Sequence, residues 1–171
     1  IPPSARVLIY GDDLNHLDEL GKELDRMGKY YFKYTGELDA PKERPTILKE
    51  FRQGIRKILL AVGCLDEGID IPACDVAVFI SSSTSERQFI QRRGRVLRIA
   101  PGKTTAWIYD YLVYPILPAS TSDEERRMAL SMIDAQYRRI NLMVDDAING
   151  IREHQKLDQF LSQRKLNPYD F

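Results

Sequence analysis

The sequence has few of the residues that build metal sites and disulfides. Its 171 residues include two cysteines, Cys64 and Cys74, and two histidines. Two cysteines ten residues apart, without a second pair or nearby histidines, match neither a disulfide framework nor a zinc site. The cysteine usage therefore favours a reducing compartment, and we expect a cytoplasmic protein.

The chain also lacks long apolar runs and net charge. No run approaches the roughly 18 to 20 residues of a membrane span, and no signal peptide is visible, so we expect no membrane partner. With 25 basic and 25 acidic residues the formal net charge is zero, and any attraction to a polyanion must come from local clustering. The 43% apolar content is enough for the core of a globular domain. Because the chain starts at Ile1 rather than methionine, we expect it to be a piece of a longer protein.

Positive charge is concentrated in one segment. Residues 87–103 contain six basic side chains and no acidic one, and four arginines and a glycine fall within residues 91–98, QRRGRVLR. Arginine suits phosphoryl oxygens because its charge is permanent and its planar donors have a fixed geometry. A solvated basic surface is the alternative, but such a surface would also contain acidic residues at helical spacing from the basic ones. The segment therefore predicts a phosphate-rich partner.

Five short β-rich runs alternate with helical patterns. The predicted strands are 6–10, 30–34, 57–62, 76–81 and 105–111, and all but the second have the composition of strands buried on both faces. The predicted helices cover about 14–27, 41–54 and 85–93. This alternation predicts an α/β domain with a mostly parallel sheet covered on both faces. In such sheets ligands bind at the carboxyl ends of the strands.

The last third of the chain has a different character. Pro115 and Pro118 interrupt regular structure, and Ser122 with Glu125 has the spacing of a capping box. Apolar residues then recur at helical spacing from Ala129 to Ile151, which predicts one or two helices. We therefore divide the chain into a sheet domain, residues 1–114, and a helical extension, residues 115–171. Packing is the favoured role of the extension, and a partner-binding or nucleic-acid-binding arm is the alternative.

Three segments follow predicted strands and carry candidate ligand contacts. In residues 59–72, LLAVGCLDEGIDIP, glycines permit the close approach of an anion to backbone amides, and Asp70 can accept hydrogen bonds from ribose hydroxyls. A tight turn in which Asp70 caps a neighbour is equally consistent with this segment. Residues 10–12 and 34–36 lie at the ends of two other predicted strands. They either contact a nucleic-acid backbone or form turns that have no ligand.

In order and spacing, these strand-end segments and the arginine segment, residues 91–98, resemble the second RecA-like lobe of superfamily 2 helicases and translocases. Residues 6–12 resemble motif IV, residues 57–72 motif V and residues 91–98 motif VI, so the resemblance covers about residues 6–111. Leu97 stands where many relatives have glycine, which is more similar to XPB-type and restriction-system DNA motors than to DEAD-box RNA helicases. The resemblance implies a three-layer RecA-like fold.

The resemblance also implies a nucleotide site shared between two lobes. A first RecA-like lobe of the same polypeptide, absent from this chain, would bind ATP and Mg²⁺. Arg95 and Arg98 would reach the γ-phosphate as arginine fingers. The residues that would support the phosphates, the interlobe contact and the nucleotide sugar are Gln91, Arg92, Gly68 and Asp70.

A nucleic-acid track is the second implication, with DNA favoured over RNA. The residues along one phosphate backbone would be Gly11, Asp12, Thr35, Gly36, Val62 and Gly63. Many relatives carry threonine where Val62 stands, so backbone amides must make that contact here.

The sequence therefore predicts the second motor lobe of an ATP-dependent helicase or translocase, inactive as a hydrolase by itself. A non-catalytic nucleic-acid-binding or protein-interaction module with the same fold is the alternative. A freestanding P-loop ATPase is excluded, because the GKT at residues 102–104 has Leu97 where a Walker A loop requires glycine. We expect that GKT to form a turn before the last strand.

Overall fold

The computed structural model describes residues 4–35, 43–62, 74–80, 86–98, 100–118 and 120–164. The chain divides into two compact units, Ile1–Tyr111 and Leu112–Phe171. Each unit is described by itself below. Within the described ranges, no helix is both long enough and apolar enough to cross a membrane.

The first unit contains a five-stranded sheet in which all neighbouring strands are parallel. The strands are β1 (Val7–Tyr10), β2 (Phe32–Tyr34), β3 (Ile58–Ala61), β4 (Val76–Phe79) and β5 (Trp107–Asp110). Their order across the sheet is β2-β3-β1-β4-β5. The helices of this unit are α1 (Leu14–Arg26), α2 (Glu43–Arg52) and α3 (Glu86–Val96). The predicted α/β class with a parallel sheet is confirmed.

Helices cover both faces of the sheet. Leu17 of α1 packs with Ile9 and Leu60 on one face. Successive strand residues point to opposite faces, so Tyr10 and Phe79 belong to the other face. There Phe89 of α3 lies against Phe79, with ring centroids 5.3 Å apart. The result is the three-layer arrangement of a RecA-like domain.

The edge strand β5 is more exposed than its sequence predicts. Strands β1, β3 and β4 are mostly buried, as their composition predicts. Strand β5 was expected to be buried on both faces as well, and this is wrong: Trp107 is 58% exposed and Tyr109 38%. Its apolar and aromatic content is that of a central strand, but its position at the end of the sheet leaves it without a second neighbouring strand among the described residues.

Helix ends agree with the local chemistry, except in α3. Asp13 caps α1 by accepting a hydrogen bond from the His16 backbone N–H at 2.8 Å, and Gly28 follows the helix with φ +62°. The predicted stop at Gly28 is thus confirmed. Helix α3 was expected to end near residue 93 but continues to Val96. A single interior glycine such as Gly94 costs only about 1 kcal/mol relative to alanine, which packing of the inner face outweighs.

The second unit contains two helices, α4 (Asp123–Val144) and α5 (Gly150–Gln163). The predicted capping box is present: the Ser122 backbone N–H donates to Glu125 Oε2 at 2.8 Å, and the Glu125 N–H donates to Ser122 Oγ at 3.3 Å. Ile133 of α4 forms the core with Leu157 and Leu161 of α5. The apolar repeat from Ala129 to Ile151 was expected to form one continuous face, and this is partly wrong, because Ile148 is 95% exposed. Residues 145–149 separate the helices and break the phase of the repeat.

Candidate functional site

The carboxyl ends of four strands meet at one edge of the sheet. Tyr10 is in register with Ala61 and with Phe79, and Tyr34 is in register with Ala61. The residues that follow β1, β2 and β3 therefore emerge side by side. They include four of the six residues predicted for the nucleic-acid track: Gly11, Asp12, Thr35 and Val62. Gly36 and Gly63, together with the nucleotide-sugar candidates Gly68 and Asp70, lie outside the described residues.

Gly11 has a packing role in addition to any role at a ligand. Its N–H donates to the Ala61 carbonyl at 3.0 Å, which extends the β1–β3 ladder. A Cβ at this position would lie 2.9 Å from Leu17 Cδ2, closer than ordinary contact. The glycine therefore lets α1 start directly against the end of β1. The backbone N–H of the exposed Asp12 approaches His16 Nδ1 at 3.4 Å.

Thr35 and Val62 are less accessible than a surface track would suggest. Thr35 is buried, and the half-buried Val62 packs against the core formed by Ile9, Leu17 and Leu60. At such positions main-chain groups are better placed than side chains to meet a ligand. The valine at 62 is thus accounted for by packing.

The inner side of α3 joins the sheet at this same edge. Phe89, Arg92 and Val96 are buried, at the three- and four-residue spacing of one helix face. Arg92 is only 6% exposed, and its guanidinium carbon lies 5.4 Å from the centroid of the Tyr10 ring. Tyr10 is stacked on Phe79 at 4.9 Å with an interplanar angle of 4°. We call Tyr10, Phe79, Phe89 and Arg92 the edge cluster.

The edge cluster is stabilised by two kinds of ring contact. Aromatic pairs contribute about 0.5–1.5 kcal/mol beyond the area that they bury. A guanidinium over a tyrosine face contributes about 2 kcal/mol when the pair is desolvated. These contacts connect the last residues of β1 and β4 to α3. The contact of Arg92 with phosphate stays a prediction.

The outer side of α3 carries exposed residues. Ile90, Gly94, Leu97 and Arg98 are exposed, and among the described residues no atom beyond the helix itself lies within 4 Å of a Cβ added at Gly94. Arg98 is exposed and lies two residues past the helix end. Arg95 belongs to the last turn of α3 and Gln91 to its middle, but their side chains lie outside the described part of the structure.

The opposite edge of the sheet carries an ion pair that sequence reasoning missed. Arg6, just before β1, donates from Nε and Nη2 to the two carboxylate oxygens of Asp75, just before β4, each at 3.0 Å. The hydrogen bond from Arg6 lowers the pKa of Asp75. Both residues line a cleft of about 470 Å³. No spacing rule connects residues 69 positions apart, so only the strand order reveals the pair.

The GKT segment lies at this opposite edge and forms a turn before β5, as predicted. Gly102 has φ +77°, and Lys103 Nζ donates to the Val96 carbonyl. Desolvation lowers the pKa of Lys103. In the described ranges, no group of three or more His, Cys, Asp or Glu side chains is arranged to hold a metal ion.

Comparison with known sequences identifies relatives that match part of this chain. UvrABC system protein B of Coxiella burnetii is 28% identical over 133 residues, which cover 72% of this chain and 20% of that protein. DNA 3'-5' translocase XPB2 of Sulfurisphaera tokodaii is 41% identical over 56 residues, 33% of this chain and 13% of the relative. The chain thus spans about a fifth, or less, of the length of these relatives.

Solved structures give the same fold. The C-terminal domain of the DEAD-box protein Dbp5 superposes with a TM-score of 0.53 at 22% identity, covering 78% of this chain and 70% of that chain. The C-terminal part of the Fun30 ATPase domain gives 0.54 at 16% identity, covering 73% and 39%. The family model of the helicase conserved C-terminal domain matches residues 2–100, more than half of the sequence. The chain therefore belongs to the helicase conserved C-terminal domain family.

Proposed function

We propose that this chain is the second motor lobe of an ATP-dependent superfamily 2 helicase or translocase. One observation carries the proposal: the carboxyl ends of β1 to β4 lie at one edge, and the arginine-rich α3 packs at that edge through Arg92 and Tyr10. Ligands of parallel α/β sheets bind outside the carboxyl ends of the strands. The arginine segment is therefore located where a phosphate ligand is expected. Membership in the helicase family supports the same conclusion.

In this proposal Arg95 and Arg98 complete an ATP site whose other wall is a first lobe. That lobe binds ATP and Mg²⁺, and closure brings the two guanidinium groups to the γ-phosphate. During phosphoryl transfer negative charge spreads over the equatorial oxygens, and an arginine finger contributes about 10³ to 10⁵ in rate. Gln91 supports the phosphates, and Gly68 with Asp70 approaches the sugar. The exposed positions of Arg98 and Gly94 support this arrangement.

The same edge provides part of a nucleic-acid track in this proposal. Main-chain groups contact one phosphate backbone, and DNA is favoured because a relative, XPB2, is by name a DNA translocase. The net charge of zero means that such contacts depend on local groups rather than on an overall field. The residues proposed for the track are Gly11, Asp12, Thr35, Gly36, Val62 and Gly63.

The test is nucleic-acid-stimulated ATP hydrolysis by the polypeptide that carries this chain together with its first lobe. Arg95→Ala and Arg98→Ala should each lower kcat by about 10³-fold or more, while the Kd for ATP changes little, because a finger acts mainly in the transition state. Arg26→Ala is the matched control, since Arg26 is an exposed arginine of α1. Normal turnover in both finger variants would instead identify a non-catalytic module that retains the helicase fold.

A further inference from the structure

We infer that Arg92 is a positioning residue, which holds the arginine segment of α3 against the carboxyl ends of β1 and β4, rather than a ligand of phosphate. The inference rests on the proposed function, because the groups that it positions are the proposed fingers. It assigns to the edge cluster a task in catalysis that packing alone would not require.

Each side chain of the edge cluster contacts at least one other member of the cluster. Tyr10 ends β1, Phe79 ends β4, and the two rings are stacked nearly parallel. Phe79 contacts Phe89 in the first half of α3, and Arg92, one turn further, reaches back over Tyr10. Two strands and one helix are therefore connected through four side chains.

The packing of the edge cluster restricts the position of the Arg92 guanidinium. Tyr10 and Phe79 are fully buried, and Phe89 nearly so, so the ring that receives the guanidinium is fixed by packing on its neighbours. An uncharged side chain of similar length would fill this space without the cost of taking a guanidinium out of water. The planar guanidinium of Arg92 can make a directional contact with the Tyr10 face that an uncharged chain cannot make. That contact sets both the depth and the rotation of α3 at the sheet edge.

The proposed arginine fingers lie shortly after Arg92 in the sequence. Arg95 is three residues after Arg92, a distance of about 4.5 Å along the helix axis, and Arg98 follows just past the helix end. Catalytic groups tolerate little misplacement, because an error of about 1 Å can cost about 10²-fold in rate. A loosened α3 should therefore slow turnover while leaving ATP affinity almost unchanged.

The test is a double-mutant cycle in the two-lobed polypeptide. Arg92→Met keeps an unbranched, flexible side chain, somewhat shorter than arginine, without its charge, and Tyr10→Leu removes the ring. Each should lower kcat by about 10- to 100-fold with the KM for ATP within about twofold, and the double variant should be no worse than either single one, because one contact is lost in all three. Tyr10→Phe keeps the ring and should restore kcat to near the wild-type value. Arg26→Met, the same change at an exposed site, is the control.

Other outcomes overturn the inference. If Arg92→Met raises the KM for ATP by tenfold or more while Tyr10→Leu leaves it unchanged, Arg92 is a ligand contact. If the two effects on kcat multiply in the double variant, the residues act independently. Should Tyr10→Leu fail to fold, Arg92→Lys decides: loss of the planar group must lower kcat at constant KM, and wild-type kcat contradicts the inference.

A second measurement separates this inference from the proposed function. Urea unfolding of the 171-residue chain alone should show the same non-additivity, with the midpoint of the double variant equal to that of the more affected single variant. Additive shifts of the midpoint would overturn the Arg92–Tyr10 coupling. If the coupling is found but Arg98→Ala retains full turnover, the proposed function fails and the contact is structural only.

Discussion

Arg6 and Asp75 are held together by two parallel hydrogen bonds of 3.0 Å between their side chains, and a third bond of 2.8 Å runs from the Arg6 backbone N–H to the same carboxylate. The pair joins the segments that enter β1 and β4, two adjacent strands at the centre of the sheet. It lies at the amino edge, opposite the edge cluster. The register of β1 against β4 is thus fixed at both of its ends.

We predict that Asp75→Asn destabilises the fold in a pH-dependent way. The Arg6 hydrogen bond lowers the pKa of Asp75, so the carboxylate contributes stability above the pKa of an unfolded aspartate, about 4, and loses it as the pH falls through the lower folded value. The free energy of unfolding should decrease by about 1–3 kcal/mol at pH 7. Urea unfolding of the wild-type chain and of Asp75→Asn, at pH 7 and at pH 3, measures the difference in their free energies of unfolding. This difference should be smaller at pH 3. Glu19→Gln, at an exposed site of α1, should have little effect; a pH-independent loss in Asp75→Asn would contradict the prediction.

The two helix-interior glycines of α1 and α3 should respond oppositely to alanine. A Cβ at Gly21 would lie 2.5 Å from the Tyr31 hydroxyl oxygen and 2.8 Å from Cζ, so Gly21→Ala must displace the ring. At Gly94 no atom of the described residues beyond the helix lies within 4 Å of an added Cβ, and alanine should stabilise the chain by about 0.5–1 kcal/mol through helix propensity alone. Thermal unfolding of the two variants compares them directly. A destabilised Gly94→Ala variant would show that the outer side of α3 is constrained within this chain.

Gly94→Ala should also separate stability from activity. If a first lobe closes on the outer side of α3, an added methyl group obstructs that approach, and nucleic-acid-stimulated kcat should fall severalfold in a chain that is more stable. The measurement is ATP hydrolysis by the two-lobed polypeptide, with an unfolding curve for the same sample. Unchanged kcat would mean that nothing approaches Gly94 closely during turnover.

Cys74 should be inert to alkylation in the folded chain. Burial raises the pKa of its thiol to about 11, so only about one molecule in a thousand carries the reactive thiolate at pH 8. In a Cys64→Ser background, iodoacetamide at pH 8 should therefore label Cys74 only after denaturant is added, as mass spectrometry would report. Rapid labelling of the native chain would show that β4 opens at its amino end.

Binding of single-stranded DNA by the chain alone should be weak and strongly salt-dependent. Each phosphate that a basic side chain neutralises makes the slope of log K against log salt steeper by about 0.7 for single strands, and residues 87–103 supply six basic side chains. Fluorescence anisotropy with labelled DNA and RNA of one sequence, between 50 and 200 mM salt, measures slope and preference together. Affinity that does not change with salt would contradict a contribution of these basic side chains, and tighter binding of RNA would reverse the proposed preference for DNA.

Local patterns predicted the elements well because they depend on near neighbours. The capping box at Ser122 and Glu125 and the stop at Gly28 are properties of a few adjacent residues, and both were found. The alternation of strands and helices likewise sufficed for a parallel α/β sheet. The end of α3 was misplaced because the cost of one glycine is small beside the burial of Val96.

Properties that depend on strand order were not predictable from local pattern. The composition of β5 is that of a buried strand, and only its place at the end of the sheet explains its exposure. The partners of Arg6 and of Arg92 are distant in sequence, and both pairs follow from β1 lying beside β4. For Arg92 the basic context favoured a ligand contact, and the structure adds a distant partner, the Tyr10 ring, whose centroid lies 5.4 Å from the guanidinium carbon.

The exposed edge strand has a practical consequence for experiments on this molecule. Trp107, at the start of β5, is the single tryptophan in the sequence and is 58% exposed. Its indole emission therefore comes from one known position in water, free of background from other tryptophans in the chain. A blue shift or quenching on addition of a candidate partner would report an event at β5 without any label attached to the protein.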